Sequence, residues 1–147
     1  MTHTYVQVPA ALLAQGITAY DEAGMEAKKA FHRAGKAFLT GIAKALGLGS
    51  SLYDLRSNAG GMAVSGEVTL HTDELYLQLS ESCTKPGISL MYRSCTSRKD
   101  YCGHRNHFIS AQDLRQKDRQ ADFMRTLESL RCDEARRRLA EPLTATN

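Results

Sequence analysis

From Ile17 onward, Tyr20, Gly24, Ala27, Phe31, Ala34, Phe38, Ile42 and Ala45 recur at intervals of three or four residues. That interval is the repeat of one α-helical face, and its length commits the segment to a single amphipathic helix that needs a surface to cover. Glu22, Glu26, Lys29, Arg33, Lys36 and Lys44 fall on its opposite side. Gly47 and Gly49 supply the stop, the first as a left-handed cap, so the helix is expected to end at about Leu46. Ahead of it, Val8-Pro9-Ala10-Ala11-Leu12-Leu13 places a proline where a helix can begin, and Gln15-Gly16 ends that first turn.

The period then changes. Residues 49–61 are rich in Gly, Ser, Asn and Asp and read as a connection, with Ser57-Asn58-Ala59-Gly60-Gly61 as a tight turn. Met62 to His71 ends in the alternating Val68-Thr69-Leu70-His71, Thr72-Asp73-Glu74 can turn, and Leu75-Tyr76-Leu77-Gln78-Leu79 alternates again. After a second turn at 82–87, Ile88-Ser89-Leu90-Met91-Tyr92-Arg93 reads as a third strand. One face of this meander is apolar. The other presents Thr69, His71, Tyr76, Gln78, Ser89, Met91 and Arg93, too polar for a second core and suited to solvent or a partner. Ser110 with Asp113 reads as a capped helix start, and Phe123, Met124, Leu127 and Leu130 form the apolar stripe of a C-terminal helix. Arg136-Arg137-Arg138 suits that helix's C-terminal end, and residues 142–147 are expected to fray.

The expectation is an α+β fold, with a long N-terminal helix, a three-stranded antiparallel β-meander and a C-terminal helix packed on one sheet face. At 147 residues, 42% hydrophobic and 24% charged, the chain can bury its own core, and residues 1–147 are expected to form one domain. No apolar run approaches the roughly 20 residues a bilayer requires, so no membrane span is expected. The N-terminus lacks the basic start, apolar run and cleavage site of a signal peptide, so Cys83, Cys95, Cys102 and Cys132 are expected as reduced thiols in a cytoplasmic protein.

Charge concentrates in one place. Between Met91 and His107 stand Arg93, Arg98, Lys99 and Arg105 against Asp100 alone, an excess equal to the +3 of the whole chain. Such a loop favours phosphate or carboxylate partners. His71, Tyr76 and Arg93 on the adjoining sheet face could add a phosphate or base contact, and Tyr101 a stacking plane. Cys95, Cys102, His104 and His107 are donor types that suit zinc, but the six-residue gap and the Cys-x-His step depart from the close pairs of zinc modules. Cys102 beside His104 has the residue types of a thiol nucleophile and base, without an oxyanion loop or an orienting third group. His3 and His32 have no chemical partner in sequence and read as surface residues. Gly47-Leu48-Gly49-Ser50-Ser51 follows a helix instead of opening one, so it is no phosphate-cradling loop.

The runs Leu75 to Ser80, Leu90 to Cys95 and Arg98 to Tyr101 are similar to small accessory proteins carried by bacteriophages and plasmids. The resemblance implies a small binder acting on host nucleic acid or defence machinery, including blockers of RNA-guided interference complexes. The leading expectation is a non-enzymatic binding protein without a cofactor. It would contact nucleic acid or a nucleoprotein complex through Arg93, Arg98, Lys99, Tyr101, Arg105, His71 and Tyr76. The alternative is an anti-CRISPR-like inhibitor of a host protein, in which Tyr101 and Phe108 matter more than charge. A zinc- or thiol-dependent enzyme is the third reading.

Overall fold

A computed structural model describes residues 4–13, 17, 21–60, 65–81 and 87–140. The periodic segment is helix α1, Glu22–Ala45, opened by the Asp21 side chain accepting from the Gly24 backbone N–H. It ends as its glycine requires. Gly47 lies at φ +77°, its N–H donates to Lys44 O and that of Leu48 to Ala43 O, the paired bonds of a left-handed helix stop. The Pro9 segment forms a short 3₁₀ turn, Ala10–Leu12, while the expected stop at Gln15-Gly16 lies outside the described residues.

Five antiparallel strands follow in simple meander order, β1 Tyr53–Asn58, β2 Glu67–Thr72, β3 Leu75–Glu81, β4 Ile88–Ser94 and β5 His107–Ser110. The expected three are β2, β3 and β4. The two additional strands are the sheet's edges, and they correct the reading of residues 49–61 as connection and of the loop as running on to His107. β1 includes Ser57 and Asn58, where the sequence pattern predicts a tight turn. An edge strand packs on one neighbour only, so it tolerates the polar residues that disguised it.

The register places Tyr53, Leu55, Val68, Leu70, Leu75, Leu77, Leu79, Ile88, Leu90 and Tyr92 on one face. The helices cover that face. Phe31, Phe38, Leu39 and Ile42 of α1 join these strands in one buried cluster, and Gly35 lets the helix descend onto β2, where an added Cβ would meet Val68 Cγ2 at 2.9 Å. His32 is a correction too. It is buried, with Nε2 donating to Ser65 O at 2.8 Å and Nδ1 accepting from the Ser57 hydroxyl at 2.6 Å, tying α1 to β1 and to the start of β2.

Ser110 caps a helix as expected, accepting from Asp113 N, but that helix, α2, is only Ala111–Leu114. The long C-terminal helix, α3, is a separate element, Lys117–Ala140. The break has a local cause, since Leu114 O receives the Gln120 side-chain amide at 2.9 Å. Phe123, Met124 and Leu127 of α3 enter the core, and Leu130 packs against it. The fully buried Gln120 also holds the N-terminal segment. Its amide donates to Val6 O and accepts from Val6 N, both at 2.8 Å, while Val6 lies over Gly41 of α1. Among the described residues no helix is long and apolar enough to cross a membrane.

Candidate functional site

With both long helices on one side, the opposite sheet face is left open. Two neighbouring rungs define it. One reads Asp54, His71, Tyr76 and Arg93 across β1 to β4, and the next Arg56, Thr69, Gln78, Met91 and Phe108 across all five strands. Loop 95–106, between β4 and β5, folds over the first rung and leaves the second clear.

The loop is built around Asp100. Its carboxylate accepts from the backbone N–H groups of Gly103 at 2.8 Å, Thr96 at 3.0 Å and Cys102 at 3.2 Å, and from the Thr96 hydroxyl at 3.2 Å. These bonds, Gly103's first, hold its pKa down to about 2. Arg98 ties the loop outward, its guanidinium bonded to Asp73 Oδ1 at 3.1 Å and Ser51 O at 2.6 Å and lying 3.8 Å from Asp54. Arg138 of α3 reaches the carbonyls of Thr96 and Asp73 and the carboxylate of Glu74.

Arg93 ties it inward. This side chain is buried, at 8% exposure, and no carboxylate of the described residues pairs with it. Its guanidinium donates to Tyr101 O and, at 3.0 Å, to Asn106 Oδ1, and lies 4.4 Å from the centroid of the Tyr76 ring. Gly103, at φ +60°, makes room for it, since an added Cβ would come within 2.7 Å of Arg93 Cδ. His71 lies in the same layer, donating from Nε2 to Ser97 O at 3.0 Å between the edges of Tyr76 and Tyr101. Burial lowers the His71 pKa from 6.5 and raises that of Tyr76 from 10.

Of the residues singled out in sequence, Arg93, Arg98, His71 and Tyr76 therefore hold the loop on the sheet. Lys99 and Arg105 are exposed and make no ion pair among the described residues, and Tyr101 is 58% exposed. Phe108 is 69% exposed on the second rung. In the sequence it stands out only as an anchor for a protein partner, because the strand that displays it is four residues long.

The four candidate zinc donors point to different surroundings. Cys95 is fully buried, its thiol donating to Thr72 O at 3.5 Å, and burial pushes its pKa up to about 12. Cys102 is exposed. His104 turns to α3, 3.7 Å from the buried Glu134 carboxylate and accepting from Arg137. His107 stacks on Tyr92 on the helix-covered side. Among the described residues no three His, Cys, Asp or Glu side chains gather as metal ligands.

Neutral His71 makes the loop's attachment pH-dependent. A histidine whose folded pKa lies below its unfolded value of 6.5 contributes stability that is complete above pH 6.5 and lost as pH falls through the lower folded value. Asp100 acts separately, its contribution present above the ordinary carboxylate range and lost only as pH falls through about 2. Amide protection factors, taken against the intrinsic exchange rate at each pH, are expected to fall across residues 96–103 below pH 6.5, and His71→Gln should abolish that first step while leaving the Asp100 step in place.

The geometry defines a two-layer α+β protein with helices behind an antiparallel sheet and one open face in front. No family model, curated protein or solved structure matches the chain.

Proposed function

We propose that the chain is a non-enzymatic binding protein that takes single-stranded nucleic acid on its open sheet face. The observation that carries this reading is the exposure of two aromatic rings, Phe108 and Tyr101, on one open face with the unpaired bases Lys99 and Arg105 in the adjoining loop. Exposed aromatics offer stacking planes to unpaired bases, and Lys99 and Arg105 offer charge to phosphates. Gln78 and Thr69 on the rung of Phe108, and Ser89 on the next, supply hydrogen-bonding groups on the same face. The target in this proposal is nucleic acid or a nucleoprotein complex.

Because Arg93 and Arg98 are engaged within the fold, stacking carries more of the affinity than charge. Phe108→Ala and Tyr101→Ala are each expected to weaken binding of a fluorescent single-stranded oligonucleotide by about 5- to 100-fold. With two phosphate contacts, the log affinity should fall with log salt at a slope of about −1.4, and Lys99→Ala with Arg105→Ala should flatten it toward zero. Unchanged binding by both aromatic variants, for RNA and DNA alike, would overturn the reading. The same rings favour a second one, a host-protein inhibitor, because aromatic side chains anchor protein interfaces. Capture of a protein from nuclease-treated lysate, lost on Phe108→Ala, would select it.

A further inference from the structure

The sheet's two edges differ. β5 is four residues long and runs directly into α2. β1 has six residues, an uninterrupted register against β2 and no proline, and among the described residues no strand covers its outer side. Such an edge presents unpaired backbone N–H and C=O groups, which proteins commonly blunt with lysine, proline, a bulge or a very short strand. β1 has no lysine, proline or bulge, its two charged residues, Asp54 and Arg56, are of opposite sign, and Leu52 just before it is 45% exposed.

Charge says what fits there. If two copies meet antiparallel at β1 about an axis perpendicular to the sheet, opposed residues must point to the same face, so residues pair only with others of the same parity. An axis near the strand's middle then passes through Asp54, Leu55 or Arg56. Centred on Asp54 it opposes two carboxylates, and centred on Arg56 two guanidinium groups. Centred on Leu55 it sets Asp54 of each copy against Arg56 of the other, twice, with Leu55 against its own counterpart and Tyr53 against Ser57. Opposite charges directly across a pair stabilise it and like charges destabilise it. Arg56 is exposed and makes no ion pair among the described residues, and Asp54 is 44% exposed beside its 3.8 Å approach to Arg98.

We infer that two copies of the chain pair through β1 about a two-fold axis at Leu55, extending the sheet to ten strands. The helices stay on one side, and the two open faces join into one surface. The pairing uses the edge and not Phe108, Tyr101, Lys99 or Arg105, so it stands or falls apart from the nucleic-acid reading.

Sedimentation equilibrium of the full chain tests it. The unmodified chain should be dimeric at about 100 µM, and Arg56→Asp or Asp54→Arg should each raise the dimer dissociation constant at least about tenfold, since both symmetric pairs turn repulsive. Combining Asp54→Arg with Arg56→Asp restores opposite charges and should restore the dimer. Amide exchange along β1 supplies a second readout, slow in the dimer and fast in the single variants, with β3 protection showing that the fold is retained. A monomeric unmodified chain, an unchanged dimer in the single variants, or no recovery in the double variant would each overturn the inference.

Discussion

Arg93→Met should lower stability by about 2–4 kcal/mol and detach the loop from the sheet, because it removes a buried hydrogen-bonded cation and strands its partners. The size of the effect follows from what Arg93 replaces. The first rung has no apolar core beneath the loop, and the guanidinium fills that space while bonding Tyr101 O and Asn106 Oδ1 and resting on the Tyr76 ring. Methionine fills part of the volume and satisfies neither acceptor. Denaturant titration gives the stability loss, and hydrogen exchange should show residues 96–106 opening before the sheet does. Oligonucleotide affinity should fall with it, since Tyr101 loses its support. Arg93→Lys is the informative companion. It keeps the charge but cannot reproduce the planar two-pronged contact, so it should recover only part of the loss. Full recovery by lysine would show that charge alone holds the loop.

A larger loss of stability is expected for Phe38→Ala. Phe38 is 1% exposed at the centre of the cluster joining α1 to the sheet, and removing a buried phenyl ring costs about 3–5 kcal/mol, part transfer energy and part cavity. For a chain of this length, that corresponds to a fall in thermal midpoint of about 10 °C or more. Phe38→Leu keeps most of the volume and should cost well under half as much. A loss below about 1 kcal/mol for the alanine variant would mean that α1 is not seated on the sheet as described.

The helix behind these predictions was legible in sequence because Phe31, Phe38 and Ile42 repeat with its own period and Gly47 marks its end. β2, β3 and β4 were legible for the same reason, as each alternates against a core that lies on one side. β1 and β5 were not. Their inward residues Tyr53, Leu55, His107 and Ile109 are few, and their outward ones resemble a loop. His32 was misread because its burial comes from Ser57 and from Ser65 O, 25 and 33 residues away, which no helical period reports.

The candidate site divides along the same line. The polar face was assigned correctly from alternation, since strand parity fixes where a side chain points. What each side chain does there was not, because it depends on a loop returning over the sheet. Arg93 and Arg98 look like surface bases in sequence and serve as internal ties in the fold. Phe108 looks like the end of a loop and is the most exposed aromatic on the open face.

The contact between Gln120 and Val6 also orders events in time. Every strand of the meander pairs with its neighbour in sequence, so the hairpins can close while the chain is still being made. The N-terminal segment is synthesised first, yet its bonds to Gln120 span 114 residues. On a ribosome those two bonds cannot form until Gln120 has emerged, whereas the packing of Val6 over Gly41 of α1 needs only the first part of the chain.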